Sequence, residues 1–223
     1  MIELVRIRHR CLSIDRLEIA PGTTAVIGPN GAGKTLLCKL CAGLLLPDEG
    51  TIEIDGSAPR ETDVGWVGEF PDRNMLFSRV YDEIASPLRF ARIPCSEIDG
   101  RVRAMAAAAG CGGLIDRSSR ALSGGEKVLV ALAAALAGRP RVLVLDEFDS
   151  HLDPATAAQA EAAITAVAVP YVIRCTQDMT AAARADLLLY IEDGSVLHAA
   201  APTEVFGRLA GTCFYPPLWR LSR

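Results

Sequence analysis

Apolar and polar positions alternate along the start of the chain. Residues 2–8 and 12–19 repeat with a period of two, the pattern of half-buried strands. "TTAVIG", residues 23–28, is a short apolar strand that runs straight into a glycine-rich loop. From Leu36, "LLCKLCAGLL" has helical character, and Gly43 and Pro47 mark its end. "TIEIDG", residues 51–56, alternates again and closes in a turn dipeptide. Between residue 71 and about residue 121 the texture changes. Alanines, arginines and broken helical stretches replace the strands, punctuated by Pro87, Pro94 and the glycines of 110–113, which predicts an inserted helical lobe. "RVLVLDEF", residues 141–148, is a buried strand ending in acids; a helix over 155–168 follows, and "YVIRCT" and "LLLYIEDGSVL" supply two more strands. Strands alternating with helices predict an α/β protein with a parallel core.

The bulk numbers narrow the function classes. A chain of 223 residues forms one large domain, or one domain with a lobe inserted in it. Half of it is apolar, enough for a sizeable core, and the net charge of −4 lacks the basic footprint of nucleic-acid binding. Seven cysteines, odd in number and scattered, fit a reduced compartment. "MIELVRIRHR" has no continuous apolar stretch, so no signal peptide is expected. The longest apolar runs, 104–115 and 128–138, fall short of the roughly 20 residues a bilayer needs.

The chemistry begins with "GPNGAGKT": Gly28, Pro29, Asn30, Gly31, Ala32, Gly33, Lys34 and Thr35. This fits G-x-x-x-x-G-K-[ST] between a strand and a helix. The glycines let backbone N–H groups turn inward around phosphates. Lys34 adds a point charge on the terminal phosphates, and the Thr35 hydroxyl suits Mg²⁺. The helix N-terminus contributes its positive end. Far downstream, "VLVLDE" carries Asp146 to a strand end, where it can join a Mg²⁺ shell. Glu147 follows as a candidate base for the water that attacks a γ-phosphate.

"LSGGE" places Ser123, Gly124, Gly125 and Glu126 at a helix start. Alone this is a capped turn. With the phosphate loop and the acidic strand, it makes the chain resemble the ATP-binding cassette (ABC) ATPase family over nearly its whole length and in the family's order. The resemblance implies a P-loop NTPase (RecA-like) core with an N-terminal antiparallel β subdomain and an inserted helical subdomain. One ABC ATPase domain then spans 1–223: a nucleotide-binding core of 1–70 and 122–200, a helical lobe of 71–121 and a tail of 201–223. It also implies ATP and Mg²⁺ as cofactors, and a dimer in which Ser123, Gly124, Gly125 and Glu126 close on ATP held by the other subunit. "SHLD", residues 150–153, looks like the family's loop that signals between the two sites.

Three positions depart from the family's pattern. Glu69, in "VGWVGEFPD", stands where a glutamine is expected beside Mg²⁺ and the attacking water; a glutamate can still coordinate Mg²⁺ but adds negative charge near the phosphates. Gln177, in "CTQD", stands where a histidine would reach the γ-phosphate; it donates a hydrogen bond but carries no proton or positive charge. The first strand pair lacks the adenine-stacking aromatic, and His9, its nearest planar side chain, is expected to face solvent. Elsewhere, "CKLC" puts Cys38 and Cys41 on the core face of a helix, and Trp66 reads as a packing residue. Arg79, Arg89, Arg92, Arg101 and Arg103 read as a solvated helical face, or as part of a grip on a membrane partner.

"FPD" after Glu69 is similar to the "NPD" of ATPases in energy-coupling factor importers of cobalt, nickel and vitamins, and "PTEVF" with the tail to "PPLWRLSR" looks like the C-terminal start of that group. The expected role is therefore the ATPase of an importer of metal ions or vitamins, peripheral on the cytoplasmic face of the membrane. Its partners are integral-membrane transporter subunits and a second ABC ATPase subunit, identical or paralogous. A soluble ABC ATPase acting on nucleic acid or ribosomes, and a weakly hydrolysing regulatory partner, stand as alternatives.

Overall fold

The computed structural model describes residues 1–150 and 152–220. In chain order the strands are β1 (Ile2–His9), β2 (Leu12–Ile19), β3 (Gly22–Ile27), β4 (Glu49–Ile54), β5 (Val64–Val67), β6 (Val142–Asp146), β7 (Tyr171–Cys175), β8 (Leu187–Glu192) and β9 (Ser195–Ala200). The α-helices are α1 (Lys34–Cys41), α2 (Val80–Phe90), α3 (Cys95–Ala108), α4 (Gly124–Ala137), α5 (Pro154–Val167), α6 (Met179–Ala182), α7 (Pro202–Arg208) and α8 (Pro217–Arg220). They fall into two compact units. The first holds Met1–Thr62, Val144–Glu147 and the chain from Pro170; the second holds Asp63–Leu143 and Phe148–Val169.

In the first unit, β2, β1 and β4 form an antiparallel sheet. Its apolar positions meet directly across strands: Ile2 faces Ile19 and Ile54, and Leu4 faces Leu17 and Ile52. All are buried, and each such side chain contributes on the order of 1.5–3 kcal/mol. The larger sheet of this unit runs in the order β6–β7–β3–β8–β9, with β3 parallel to both β7 and β8. "LLLYIEDGSVL" is not one strand, as its apolar pattern suggested. Asp193 and Gly194 both take positive φ, 46° and 76°, and fold it into the hairpin β8–β9. An Asp-Gly pair adopts that turn at low cost, and it gives the parallel core an antiparallel edge. The C-terminal segment docks through aromatic contacts: Phe206 and Trp219 pack edge to face at 5.5 Å beside Tyr215.

The second unit gathers α4 and α5 with α2 and α3. Val80, Ile84 and Leu88 of α2, Val102 and Ala106 of α3, and Leu132 and Leu136 of α4 are all buried. The arginine face is solvated, and acids of the same unit pair with most of it: Arg79 with Asp116, Arg89 with Asp82, Arg101 with Glu97 and Arg103 with Asp99. Among the described residues no helix is long and apolar enough to cross a membrane.

Candidate nucleotide site

β3 delivers the chain into the phosphate loop. Gly28 has φ 147°, and a Cβ there would lie 2.0 Å from the carbonyl oxygen of Ile191. No side chain fits, so the close approach of loop and β8 requires glycine. Pro29 accepts from the amide of Ala32 at 3.3 Å, and Asn30 and Gly31 lie exposed at the tip. Gly33 then enters α1 with φ 101° and no side-chain cap. The first N–H groups of α1 have no intrahelical partner and no cap from Gly33, an arrangement that favours an anion.

Lys34 is 6% exposed, and its ammonium donates to the carbonyls of Gly28 at 2.9 Å and Pro29 at 3.0 Å. A buried positive charge is thereby arched over the loop. Thr35 Oγ1 donates to Asp146 Oδ1 at 3.1 Å. Burial pushes the Asp146 carboxyl up from its ordinary range, and the Thr35 hydrogen bond opposes that rise. A hydroxyl and a carboxylate side by side are hard oxygen donors. Mg²⁺ takes few protein ligands and completes its shell with water and phosphate oxygens, so this pair fits it.

Glu147 follows at the end of β6 in a left-handed conformation, φ 50°. Its amide donates to the carbonyl of Cys175 at 3.0 Å, and its Oε2 accepts from Gln177 Nε2 at 2.8 Å. Cys175 Sγ lies 3.9 Å from Oε1. The first unit thus brings together the loop, Lys34, Thr35, Asp146, Glu147 and Gln177. Sequence reasoning missed Cys175. It had only the word "CTQD" to go on, and the signal lies in strand pairing, where Val26 opposite Cys175 sets the height of the segment. Cys38 and Cys41 are fully buried, as their helical spacing predicts, and burial pushes the Cys41 thiol up to about 12.

His9 is buried, not solvent-facing. It is 9% exposed and its Nδ1 lies 3.1 Å from Asp48. The register explains this: His9 pairs with buried Leu12 on the core face of β1 and β2.

The second unit holds the remaining candidates. Ser123 caps α4 with a reciprocal pair of bonds: its Oγ accepts from the amide of Glu126 at 3.3 Å, and Glu126 Oε2 accepts from the amide of Ser123 at 2.7 Å. Arg117 approaches the other Glu126 oxygen at 3.3 Å, so that carboxylate serves its own helix. A Cβ on Gly124 would meet open space, whereas one on Gly125 would touch Thr156 at 3.5 Å. Glu69 follows β5, half-buried. Asp153 caps α5, accepting from the amides of Ala155 and Thr156 at 3.0 Å each. His151 of "SHLD" and residues 221–223 of the tail lie outside the described residues.

A family model described as "ABC transporter" matches residues 13–150. The energy-coupling factor transporter ATP-binding protein EcfA1 of Lactiplantibacillus plantarum is 36% identical over 199 residues, covering 84% of this chain and 71% of that protein. Its namesake from Lacticaseibacillus paracasei is 32% identical over 210 residues, covering 89% and 76%. Among solved structures, cbiO1 from Clostridium perfringens, described as part of the ABC transporter complex cbiONQ, superposes with a TM-score of 0.81 at 26% identity, covering 93% of this chain and 91% of that one. An ATP-binding cassette dimer in a post-hydrolysis state, bound to ADP and Pi, shares the fold with a TM-score of 0.81 at 21% identity, covering 91% and 99%.

Proposed function

The chain belongs to the ABC transporter family, and from that premise we propose that it is the ATP-hydrolysing subunit of an energy-coupling factor importer for metal ions or vitamins. It works as a dimer with a second ABC ATPase subunit, docked on integral-membrane subunits at the cytoplasmic face. The observation that carries the enzymatic part is the convergence, in one unit, of an uncapped helix start, a buried ammonium, the Thr35–Asp146 pair and Glu147.

The loop amides and Lys34 hold the triphosphate. Thr35 and Asp146 would hold Mg²⁺, which would offset phosphate charge when bound. Glu147 takes the proton of the attacking water. Catalysis is then positioning and charge stabilisation. Ser123, Gly124 and Gly125 meet the γ-phosphate of the facing subunit. The open space around Gly124 supports that role, because no described residue outside its own helix turn lies within 4 Å of a Cβ placed there. The energy-coupling factor names of the relatives support the transporter class, and the "FPD" and "PTEVF" words support the importer subclass.

Phosphate release from purified protein with Mg-ATP tests the enzyme, and co-extraction with membrane subunits in detergent tests the assembly. Turnover that is lost in Lys34→Ala supports the reading; turnover equal to that of Lys34→Ala overturns it. A second reading, a weakly hydrolysing partner subunit, is favoured by the uncharged Gln177 and draws support if Gln177→His raises turnover several-fold.

A further inference from the structure

Glu147 sits at the end of β6 in a left-handed backbone conformation, φ 50°. One short segment, 175–177, fixes it at three points. The Cys175 carbonyl accepts its amide at 3.0 Å, the Cys175 thiol lies 3.9 Å from Oε1, and Gln177 Nε2 donates to Oε2 at 2.8 Å. The segment is itself anchored. Cys175 pairs with Val26 in the sheet, the amide of Asp178 donates to Thr176 Oγ1 at 3.0 Å, and Asp178 caps α6 by accepting from Thr180 at 2.8 Å. Gln177 is exposed, so its amide is held by this turn and by Glu147, not by burial.

We propose that Gln177 is a positioning residue for Glu147. Its neutral amide aims the carboxylate before nucleotide arrives, and it does so without a charge. A cationic donor in that place would pair with the carboxylate and weaken it as a base; an amide orients it and leaves its negative charge whole. Gln177 therefore fills the departure from the family's histidine with a working contact. This rests on the reading of Glu147 as base given above.

The test is steady-state phosphate release beside equilibrium binding of Mg-ATP, for the wild type, Gln177→Ala, Gln177→Glu, Gln177→His and the same set in a Glu147→Gln background. Gln177→Ala should lower kcat about tenfold and leave the Kd for ATP unchanged. Gln177→Glu, equal in size but repelling Glu147, should lower kcat further. Gln177→His, which keeps a donor, should turn over at between half and all of the wild-type rate; a several-fold rise overturns the proposal. With Glu147→Gln already in place, Gln177→Ala should change nothing more. An undiminished kcat in Gln177→Ala overturns the proposal, as does a loss that persists at full size in the Glu147→Gln background. A raised Kd at constant kcat overturns it too, because it assigns the amide to phosphate. If Glu147→Gln alone leaves the rate intact, the assignment of the base itself has failed, and that outcome is separate from the others.

Discussion

Two helices of this protein begin with glycines, and the two starts are finished differently. α1 opens behind Gly33 with no side-chain cap and a lysine ammonium folded over its approach. α4 opens behind Ser123 with a complete capping box, and its Glu126 is further tied to Arg117. An uncapped helix start leaves its first N–H groups without an N-cap bond, which favours phosphate. A capped one has met part of that demand internally. It can add contacts to a phosphate held elsewhere but is a poorer primary site. On the function proposed above, the contrast fits two roles: α1 as the cradle, and α4 as the start that offers a hydroxyl and the open face at Gly124 to a facing subunit.

The sharpest break of this contrast lies beside the cradle. Glu147→Gln should cost about 10²–10⁴-fold in turnover while ATP binding persists, and ATP-loaded dimers should accumulate on size exclusion. An unchanged rate would remove Glu147 from the role of base. Lys34→Ala should weaken ATP binding on the order of 100-fold in a fluorescent-nucleotide titration, because one buried charge-assisted contact is lost. The α4 start should respond in the opposite sense. Gly124→Val leaves first-site ATP binding intact, since its Cβ meets open space, but should reduce ATP-dependent dimerisation about tenfold by light scattering. Loss of ATP affinity in the monomer would reverse the two roles.

Smaller effects sharpen the picture of the cap. Ser123→Ala should cost about 1 kcal/mol, seen as a fall in Tm of about 2–4 °C. The Ser123 amide, bonding its carboxylate, holds Glu126 below its ordinary value of 4.5. A depressed acid stabilises the fold fully above its ordinary value and loses that contribution as pH falls through the lower, folded one. The difference in Tm between wild type and Glu126→Gln should therefore be constant at neutral pH and shrink in acid below about pH 4.5. A gap that persists at low pH would show that the carboxylate charge plays no part in the cap.

Much of this was legible from short-range pattern. The alternation in residues 2–8 and 12–19 became β1 and β2 because register pairs isoleucine with isoleucine on one face. "GPNGAGKT" was legible because a phosphate loop needs particular residues at fixed spacing, and Gly28 is required by a contact that any Cβ would break. The hairpin in "LLLYIEDGSVL" was missed because the apolar run masked the Asp-Gly turn. His9 was misplaced because its exposure is set by cross-strand register and not by its polarity.

Residue types and their spacing decided by themselves that this chain carries a phosphate loop, an acidic strand end and a glycine-bearing helix start, because each of these is a local device a few residues long. Only the tertiary structure decided that Thr35 meets Asp146, that residues 175–177 grip Glu147, and that Gln177 has a carboxylate to hold. These partners lie 111 and 30 positions apart in the chain, and strand order alone brings them together.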